Sequence, residues 1–286
     1  MTRQSAIARR AEALIGSAVV ATAPVAGGDV STATKLRLSN GTTALMKTVT
    51  NPPDQFFQRE AAGLRWLAEV PDGVPVPEVL GVDADCLIIA WVDPGRQGAD
   101  EAATLGRRLA ATHAAGADSF GAEAEGFIGR LPLPNRAAAT WAEFYATRRL
   151  LPYAKLARDR GALTDDESST IDRVVARLTG LLPEEPPARL HGDLWNGNVV
   201  WGTDGTAWAI DPAAYGGHRE VDLAMLTLFG LPHLQRVLDA YDEATPLAEG
   251  WQDRVGLHQL FPLLVHACLF GGGYGARAAQ TATRYL

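Results

Sequence analysis

The hydrophobic pattern of the chain changes at a short segment rich in Pro, Gly and Asp, residues 93–98. Before it, residues 25–49 alternate apolar and polar side chains between glycine turns, which predicts a strand, a turn, a strand, a hairpin and a strand. A helix is predicted over 54–70 with Asp54 as its N-cap, and the apolar run 86–92 predicts a further strand. The later helical stretches are 99–116, 137–160, 164–182 and a block from 250 onward, with two short strands at 198–202 and 207–211.

This order of elements predicts an α+β protein of two lobes. The first lobe, 1–92, is a small antiparallel sheet with one main helix, preceded by an ordinary first helix. The segment 93–98 is a linker, and 99–286 forms a larger, mostly helical lobe. Because ligand sites tend to lie where two lobes meet, we expect a cleft at this junction.

The bulk composition excludes several classes of function. A chain of 286 residues that is 47% hydrophobic can bury a full core. Its net charge of −7 argues against nucleic acid and anionic membranes as partners, and no apolar run approaches the roughly 18 residues of a membrane span. Cys86 and Cys268 lie inside apolar runs and form no disulfide framework. With no leader-like N-terminus, we expect a cytoplasmic protein, monomeric, that binds a small molecule.

The stretch Leu190–Val200, LHGDLWNGNVV, places acidic and amide side chains in a turn between apolar runs. One interpretation is an ordinary surface loop, because Gly, Asn and Asp are common turn residues. The other is a site: Asp193 and Asn198 are five residues apart, and Asp211 follows the next hairpin. A carboxylate, an amide oxygen and a second carboxylate on neighbouring turns form a hard-oxygen site suited to Mg²⁺ and phosphate.

Motifs spread along the chain resemble those of one family. HGDLWNGN followed by AIDPA resembles the catalytic and metal loops of the protein-kinase-like phosphotransferases. The closer resemblance is to the fructosamine kinase (ketosamine-3-kinase) family, and it also rests on DPAAYGGHREVDLAMLTLFG, FGAEAEGFIGRLPLPN, WAEFYATRRLLP and FPLLVHACLFGGGYG. It implies a bilobal protein-kinase-like fold and an ATP- and Mg²⁺-dependent kinase acting on a hydroxyl.

The resemblance assigns roles to the residues of the loop and of the first lobe. Asp193 would be the catalytic base, and Asn198 and Asp211 would hold Mg²⁺. Lys47, alone a solvated strand lysine, would pair with Glu60 of the following helix and hold the phosphates of ATP. The other implied nucleotide contacts are the turn Gly27-Gly28, which is otherwise a plain hairpin turn, and the main chain of the hinge Ala90, Trp91 and Val92. Trp91 stands where the resemblance leads us to expect an acidic residue.

The acceptor side is assigned less directly. Trp195 lies two residues after Asp193, close enough to stack on a sugar, although a core Trp is the competing interpretation. Arg219, Glu220 and Asp222 are candidates to frame the acceptor cleft, while helix capping is the leading interpretation of Asp222 and bracing of the loop that of His191. Three positions depart from the family pattern: Leu133 where Gln is expected, and Val265 and Cys268 where Asn is expected.

The implied reaction is phosphorylation of ketosamines, such as fructosamines or ribulosamines, at the sugar 3-position. In the family this step destabilises the adduct and frees the amine, which amounts to deglycation. Aminoglycoside or choline phosphotransferases, which share the fold and take cationic acceptors, are the alternative. A non-catalytic nucleotide-binding protein is disfavoured because Asp193, Asn198, Asp211, Lys47 and Glu60 are all present.

Overall fold

A five-stranded antiparallel sheet dominates the first third of the chain. The structure is a computed structural model, and it describes residues 3–26 and 30–286. The strands lie in the order β1-β2-β3-β5-β4. Their bounds are β1 Val19–Val25, β2 Thr32–Leu38, β3 Thr43–Thr48, β4 Val79–Val82 and β5 Cys86–Ala90, and the helices are α1 Arg3–Ile15 and α2 Phe56–Ala68. The antiparallel sheet predicted for this region is therefore confirmed.

The two helices cover opposite faces of the sheet because the strand residues alternate in direction. Met46 and Ile88 pack with α1, whereas Leu87 and Ile89 pack with α2. Lys47 pairs directly with Leu87 in the antiparallel register, and directly opposed residues share a face. The strand lysine is thereby directed toward α2.

Two details of this layer differ from the sequence predictions. Asp54 does not cap α2: Gln55 precedes the helix in a left-handed conformation, φ 63°, without a side-chain cap, and the amide of Phe56 bonds to the carbonyl of Pro53 instead. The tight turn after the Pro52-Pro53 pair replaces a side-chain cap. Strand β4 was not predicted, because its segment is rich in Pro and Gly, which are depleted in strands.

The rest of the chain is mostly helical, as predicted. Its helices are α3 Ala99–Ala114, α4 Trp141–Phe144, α5 Leu151–Asp159, α6 Asp165–Val175, α7 Leu178–Leu181, α8 Glu220–Leu228, α9 Leu234–Ala244, α10 Trp251–Phe270 and α11 Tyr274–Ala282. Three two-stranded sheets interrupt them: β6 Gly126–Ile128 with β7 Leu131–Leu133, β8 Ala188–Leu190 with β11 Tyr215–Gly217, and β9 Val199–Trp201 with β10 Ala207–Ala209. Of these small sheets only β9–β10 was predicted, although all six strands have three residues.

The sheet layer and the helical layer share a hydrophobic core. Phe57 and Leu64 of α2 belong to the same buried cluster as Leu105 of α3, Trp201 of β9 and Tyr241 of α9. The segment 93–98 is tied to this core, since the amide of Gly95 donates to the carbonyl of Trp201 at 2.5 Å. The boundaries 1–92, 93–98 and 99–286 remain a prediction, and the junction they mark is a packed interface.

Candidate active site

One buried carboxylate, that of Asp222, holds the loop between β8 and β9. Both oxygens of Asp222 are used: they accept the backbone N–H groups of His191, at 2.8 Å, and of Gly192, at 2.9 Å. His113 lies 3.1 Å from the same carboxylate. Gly192 has φ +81°, and a Cβ there would lie 2.2 Å from the carbonyl oxygen of Ala213, so the loop requires glycine at this position.

His191 fastens the loop to the turn that follows β10. Its Nδ1 faces the backbone N–H of Asp193 at 3.3 Å, and its Nε2 lies 2.9 Å from the carbonyl oxygen of Ile210. Nε2 therefore donates and Nδ1 accepts, which is the neutral form of the ring. Burial lowers the pKa of His191 and favours that form. The prediction that His191 braces the loop fits this geometry.

Asp193 and Asn198 face each other across the loop. The Nδ2 of Asn198 donates to the carbonyl oxygen of Asp193 at 2.8 Å and to its Oδ2 at 3.1 Å. Burial, together with the nearby charge of Asp211, raises the pKa of Asp193 well above the ordinary range of an aspartate. With its amide nitrogen engaged, Asn198 keeps its side-chain oxygen available as an acceptor.

Lys47 lies between two carboxylates on the opposite side of the cleft. Its Nζ is 2.6 Å from Oε1 of Glu60 and 2.9 Å from Oδ1 of Asp211. Burial disfavours the ammonium, but the two carboxylates outweigh it and raise the pKa of Lys47 above its usual value. The sequence predicted the pairing of Lys47 with Glu60. The contact with Asp211 joins this pair to the catalytic loop.

Asp211 adopts a backbone conformation that non-glycine residues rarely take. Its φ is +56°, in the left-handed region, directly after β10. Such strained positions concentrate at functional sites, where the surrounding structure holds them in place. Asp211 is followed by Pro212 and preceded by Ile210. The backbone of Ile210 is hydrogen-bonded to the ring of His191 and to the backbone of Asn198, which holds Asp211 in place.

These side chains open into one cleft of about 910 Å³. Lys47, Glu60, Asp193, Asn198 and Asp211 all line it. The cleft thus brings together every predicted catalytic and metal-binding residue and two of the predicted nucleotide contacts.

Trp195 also lines the cleft and is 36% exposed, so it is not a core residue. Its indole lies over Gly197, where an added Cβ would come within 2.3 Å of the ring. The ring of Phe229 meets it edge to face, with centroids 5.8 Å apart. The glycine and the phenylalanine hold the indole at the mouth of the cleft.

The structure does not bring Arg219, Glu220 and Asp222 into the cleft, and the expectation that they frame it is corrected. Arg219 forms a two-bond ion pair with Glu185, and both contacts are 2.8 Å long. Glu220 is 2% exposed and pairs with Arg254 at 2.6 Å. Asp222 is fully buried under the loop, and no side-chain cap of α8 is present. Arg219 and Glu220 are thus paired with charged residues outside the cleft, and Asp222 accepts hydrogen bonds from the loop.

Glu220 belongs to a buried cluster outside the cleft. Atoms of His218, Glu220 and His258 that could bind a metal lie within 4.8 Å of one another. Arg254 already pairs with the carboxylate through two nitrogens, and the two imidazole rings are stacked with centroids 5.1 Å apart. The cluster is best described as a buried ion pair of Glu220 and Arg254 beside two histidine rings, and burial lowers the pKa of His218 to about 3.

Of the other predicted nucleotide contacts, the hinge residues Ala90, Trp91 and Val92 are not part of the described lining of the cleft. Gly27 and Gly28 fall outside the described residues. In the hinge, the N–H groups of Ala90 and Trp91 donate to the carbonyls of Glu78 and Thr43. The indole of Trp91 donates to Asp93 at 2.7 Å and lies 4.1 Å from the ammonium of Lys35. Adenine recognition at Ala90, Trp91 and Val92 would thus have to use the carbonyls or the N–H of Val92.

Several lining residues were not predicted from the sequence. Asn135 and Tyr215 line the cleft and are both connected to Arg149, which is fully buried. The guanidinium of Arg149 donates to Oδ1 of Asn135 at 2.8 Å and lies 4.0 Å from the ring centre of Tyr215. Arg149 lies in a π-helical turn, Tyr145–Leu150, so regular helical spacing does not show which way it points. Arg149 belongs to the motif WAEFYATRRLLP, which supported the family resemblance but assigned this residue no role.

The oxygens of Asn198 and Asp211 suit a magnesium ion. Both are hard ligands, both line the cleft, and Asp211 is only half-buried. These residues could therefore hold the metal that the sequence implies.

Comparison with known proteins identifies the family. The family model described as Fructosamine kinase matches residues 3–286. The chain belongs to the fructosamine kinase family. Within this family, a Thermus thermophilus protein named as a probable ketoamine kinase is 38% identical over 252 residues, 88% of either chain. The chloroplastic protein-ribulosamine 3-kinase of Arabidopsis thaliana is 32% identical, over 92% of this chain and 81% of its own length.

Solved structures agree with this membership of the fructosamine kinase family. A Thermobifida fusca crystal structure, of a protein named as a candidate fructosamine-3-kinase, has a TM-score of 0.94 and 48% identity over 98% of each chain. An aminoglycoside phosphotransferase crystallised with streptomycin and ATP has a TM-score of 0.66 over 99% of this chain and 97% of its own, at 15% identity, which shows the fold alone. The predicted protein-kinase-like fold and the prediction of an ATP-dependent phosphotransferase are confirmed. Within residues 3–26 and 30–286, no helix has the length and apolar character to span a bilayer.

Proposed function

We propose that this chain is an ATP- and Mg²⁺-dependent ketosamine kinase that phosphorylates the sugar 3-hydroxyl of fructosamines or ribulosamines, and so acts in deglycation. The observation that carries the proposal is the convergence of Lys47, Glu60, Asp193, Asn198 and Asp211 on one cleft. The names of the Thermus and Arabidopsis relatives supply the acceptor class.

Asp193 is the proposed catalytic base. The acceptor oxygen attacks the γ-phosphorus of ATP, the bond from this phosphorus to the β–γ bridging oxygen breaks, and ADP leaves. The acceptor proton passes to a carboxylate oxygen of Asp193. Asn198 orients that carboxylate through its 3.1 Å hydrogen bond, and His191 and Asp222 fix the loop that carries it.

Lys47 is the proposed contact to the phosphates of ATP, held in position by Glu60. Asn198 and Asp211 are the proposed Mg²⁺ ligands, and the metal, when bound, neutralises charge that develops on the phosphates. The contact of Lys47 with Asp211 supports the proposal, since the proposed metal ligand and the proposed phosphate contact lie within one hydrogen-bond length of each other. The turn Gly27-Gly28 and the main chain of Ala90, Trp91 and Val92 complete the proposed nucleotide site.

Trp195 is the proposed wall of the acceptor site. It follows the proposed base by two residues and is accessible within the cleft. Aromatic faces provide apolar contact at low conformational cost. We further propose a cytoplasmic monomer with the domain boundaries given above, in keeping with two buried, unpaired cysteines, Cys86 and Cys268.

The test is ADP release measured against a panel of free ketosamines, aminoglycosides and choline, with and without Mg²⁺. The proposal predicts turnover of at least one ketosamine, loss of turnover without the metal, and a kcat lowered by about 10²-fold or more in Asp193→Asn. Faster turnover of an aminoglycoside or of choline than of every ketosamine would contradict it and favour the alternative phosphotransferases.

A further inference from the structure

One wall of the cleft is apolar. Leu133 of β7 and Val265 of α10 both line the cleft, and they are only 1% and 3% exposed. Around them the lining continues with further apolar side chains from the same hairpin and helix, Phe127, Ile128, Leu269 and Phe270.

This apolar wall continues to the surface as a row of rings. From Trp195 the row runs through Phe229 and His266 to Phe270, with centroid distances of 5.8, 5.0 and 5.5 Å. Phe270 is 52% exposed and Phe229 is 37% exposed. Exposed apolar surface of this kind, contiguous with a cleft, is typical of a ligand-binding surface.

The chemistry of a ketosamine limits what can lie against this wall. The sugar hydroxyls need hydrogen-bond partners when they leave water, and Leu133 and Val265 offer none. The sugar must also reach Asp193, which lies among the polar groups of the cleft. The parts of the acceptor that can lie against this wall are therefore its amine and the carbon substituent on that amine. A protonated amine is also favoured beside aromatic faces and beside the exposed carboxylates of Glu123 and Glu125, which line the cleft.

We infer that Leu133, Val265 and the row of rings from Trp195 to Phe270 bind the carbon substituent of the acceptor's amine. The preferred acceptors are therefore ketosamines of amines with an apolar or aromatic body and no carboxylate. This inference rests on the proposed ketosamine kinase function. It specifies the class of amine in the ketosamine, which the sequence alone does not identify.

The experiment compares two acceptors made from the same sugar, one with 2-phenylethylamine and one with ethanolamine, in the fructose and the ribulose series. The ratio of their kcat/KM values is measured within one protein sample, so it does not depend on how much of the sample is folded. We expect the phenylethyl compound to be preferred by about tenfold or more, the discrimination typical of an apolar pocket.

Two variants test whether Leu133 and Val265 cause the preference for the phenylethyl compound. In Leu133→Gln and in Val265→Asn the ratio should fall toward one, because a buried amide disfavours the phenyl group. The matched control is Leu151→Gln, since Leu151 is 37% exposed and lies outside the cleft lining, and its ratio should equal that of the unchanged protein. If Leu133→Gln does not fold, Val265→Asn carries the assignment.

The outcomes are separable. Equal kcat/KM values for the two compounds, or a preference for the hydroxyethyl one, would overturn the inference while leaving the ketosamine kinase function intact. A phenylethyl preference that survives in both wall variants would overturn the role of Leu133 and Val265. Turnover of no ketosamine at all would overturn the proposed function, and this inference with it.

Discussion

The ammonium of Lys47 lies 2.9 Å from the carboxylate of Asp211 while it also contacts Glu60 at 2.6 Å. A residue of the third strand and a residue of the turn after β10 are therefore joined across the cleft, 164 positions apart in the chain by their numbers. Because Asp211 is the proposed metal ligand, Lys47 is placed to exchange one carboxylate contact for phosphate when nucleotide and metal arrive.

Asp193→Asn should keep the fold and the nucleotide affinity but lower kcat by about 10²-fold or more, because the amide cannot take a proton. Steady-state kinetics and nucleotide titration measure the two effects separately. Asp172→Asn, an exposed position on α6, is the matched control and should behave like the unchanged protein. Turnover near that of the unchanged protein in Asp193→Asn would remove this residue from catalysis.

Asp211→Ala should abolish turnover and the Mg²⁺ dependence of nucleotide binding, because one carboxylate supplies much of the charge at a hard-cation site. Calorimetric titration with ATP, with and without Mg²⁺, measures this dependence. If binding in the variant still strengthened with Mg²⁺ as it does in the unchanged protein, the metal would have to be assigned to other ligands.

Trp195→Ala should raise KM for the ketosamine more than KM for ATP, since the indole lies at the mouth of the cleft. The expected loss is about 1–3 kcal/mol, by analogy with stacking of flat ligand faces on aromatic side chains. Trp195→Phe keeps an aromatic face and should lose much less. Equal losses for both substrates, accompanied by a lower Tm, would indicate packing instead of acceptor binding.

Glu220→Gln should lower stability without changing either KM, because the structure places Glu220 in a buried ion pair with Arg254 outside the cleft. Breaking such a pair typically costs about 3 kcal/mol, or roughly 5–10 °C in Tm. Glu243→Gln, at an exposed position, is the control. A raised ketosamine KM with unchanged Tm would restore the acceptor role that the structure removes.

The Glu220 effect should also depend on pH with a defined sign. Burial opposes the charged form, but His258 and Arg254 outweigh it and lower the pKa of Glu220 to about 2, from 4.5. The stabilisation is therefore fully present above about pH 4.5 and is lost as the pH falls through about 2. Thermal unfolding between these values should show the difference between Glu220→Gln and the unchanged protein narrowing at lower pH. A difference that widened would contradict the ion-pair assignment.

Most of the long, strongly patterned elements could be predicted from the sequence, although α9 was not, and most of the short or irregular ones could not. The helix Ala99–Ala114 falls inside its predicted range, and β2 and β3 flank the predicted Asn40-Gly41 hairpin. The strands β6 and β7, three residues each, were not predicted. Yet their hairpin supplies Leu133 to the cleft.

The residues of the site also differ in whether the sequence could predict them. Asp193, Asn198 and Asp211 could be predicted because residue types and spacing within one hairpin bring them together. Asp222 was misread because a carboxylate at the third position of a helix resembles a cap, whereas here it accepts two amides of a loop 30 residues earlier. Arg149 was missed because its direction depends on a π-helical turn. Long-range partners of buried charges cannot be read from local pattern.

The central claim, transfer of phosphate from ATP to a ketosamine in this cleft, is tested most directly by identifying the product. Purified protein, ATP, Mg²⁺ and a ribulose- or fructose-derived ketosamine are incubated, and the product is examined by ³¹P and ¹³C NMR, with Asp193→Asn in parallel. The account predicts a phosphomonoester on carbon 3 of the sugar that forms with the unchanged protein, and about 10²-fold or more slowly with Asp193→Asn. ATP consumption without a phosphorylated sugar, or equal product with Asp193→Asn, would contradict it.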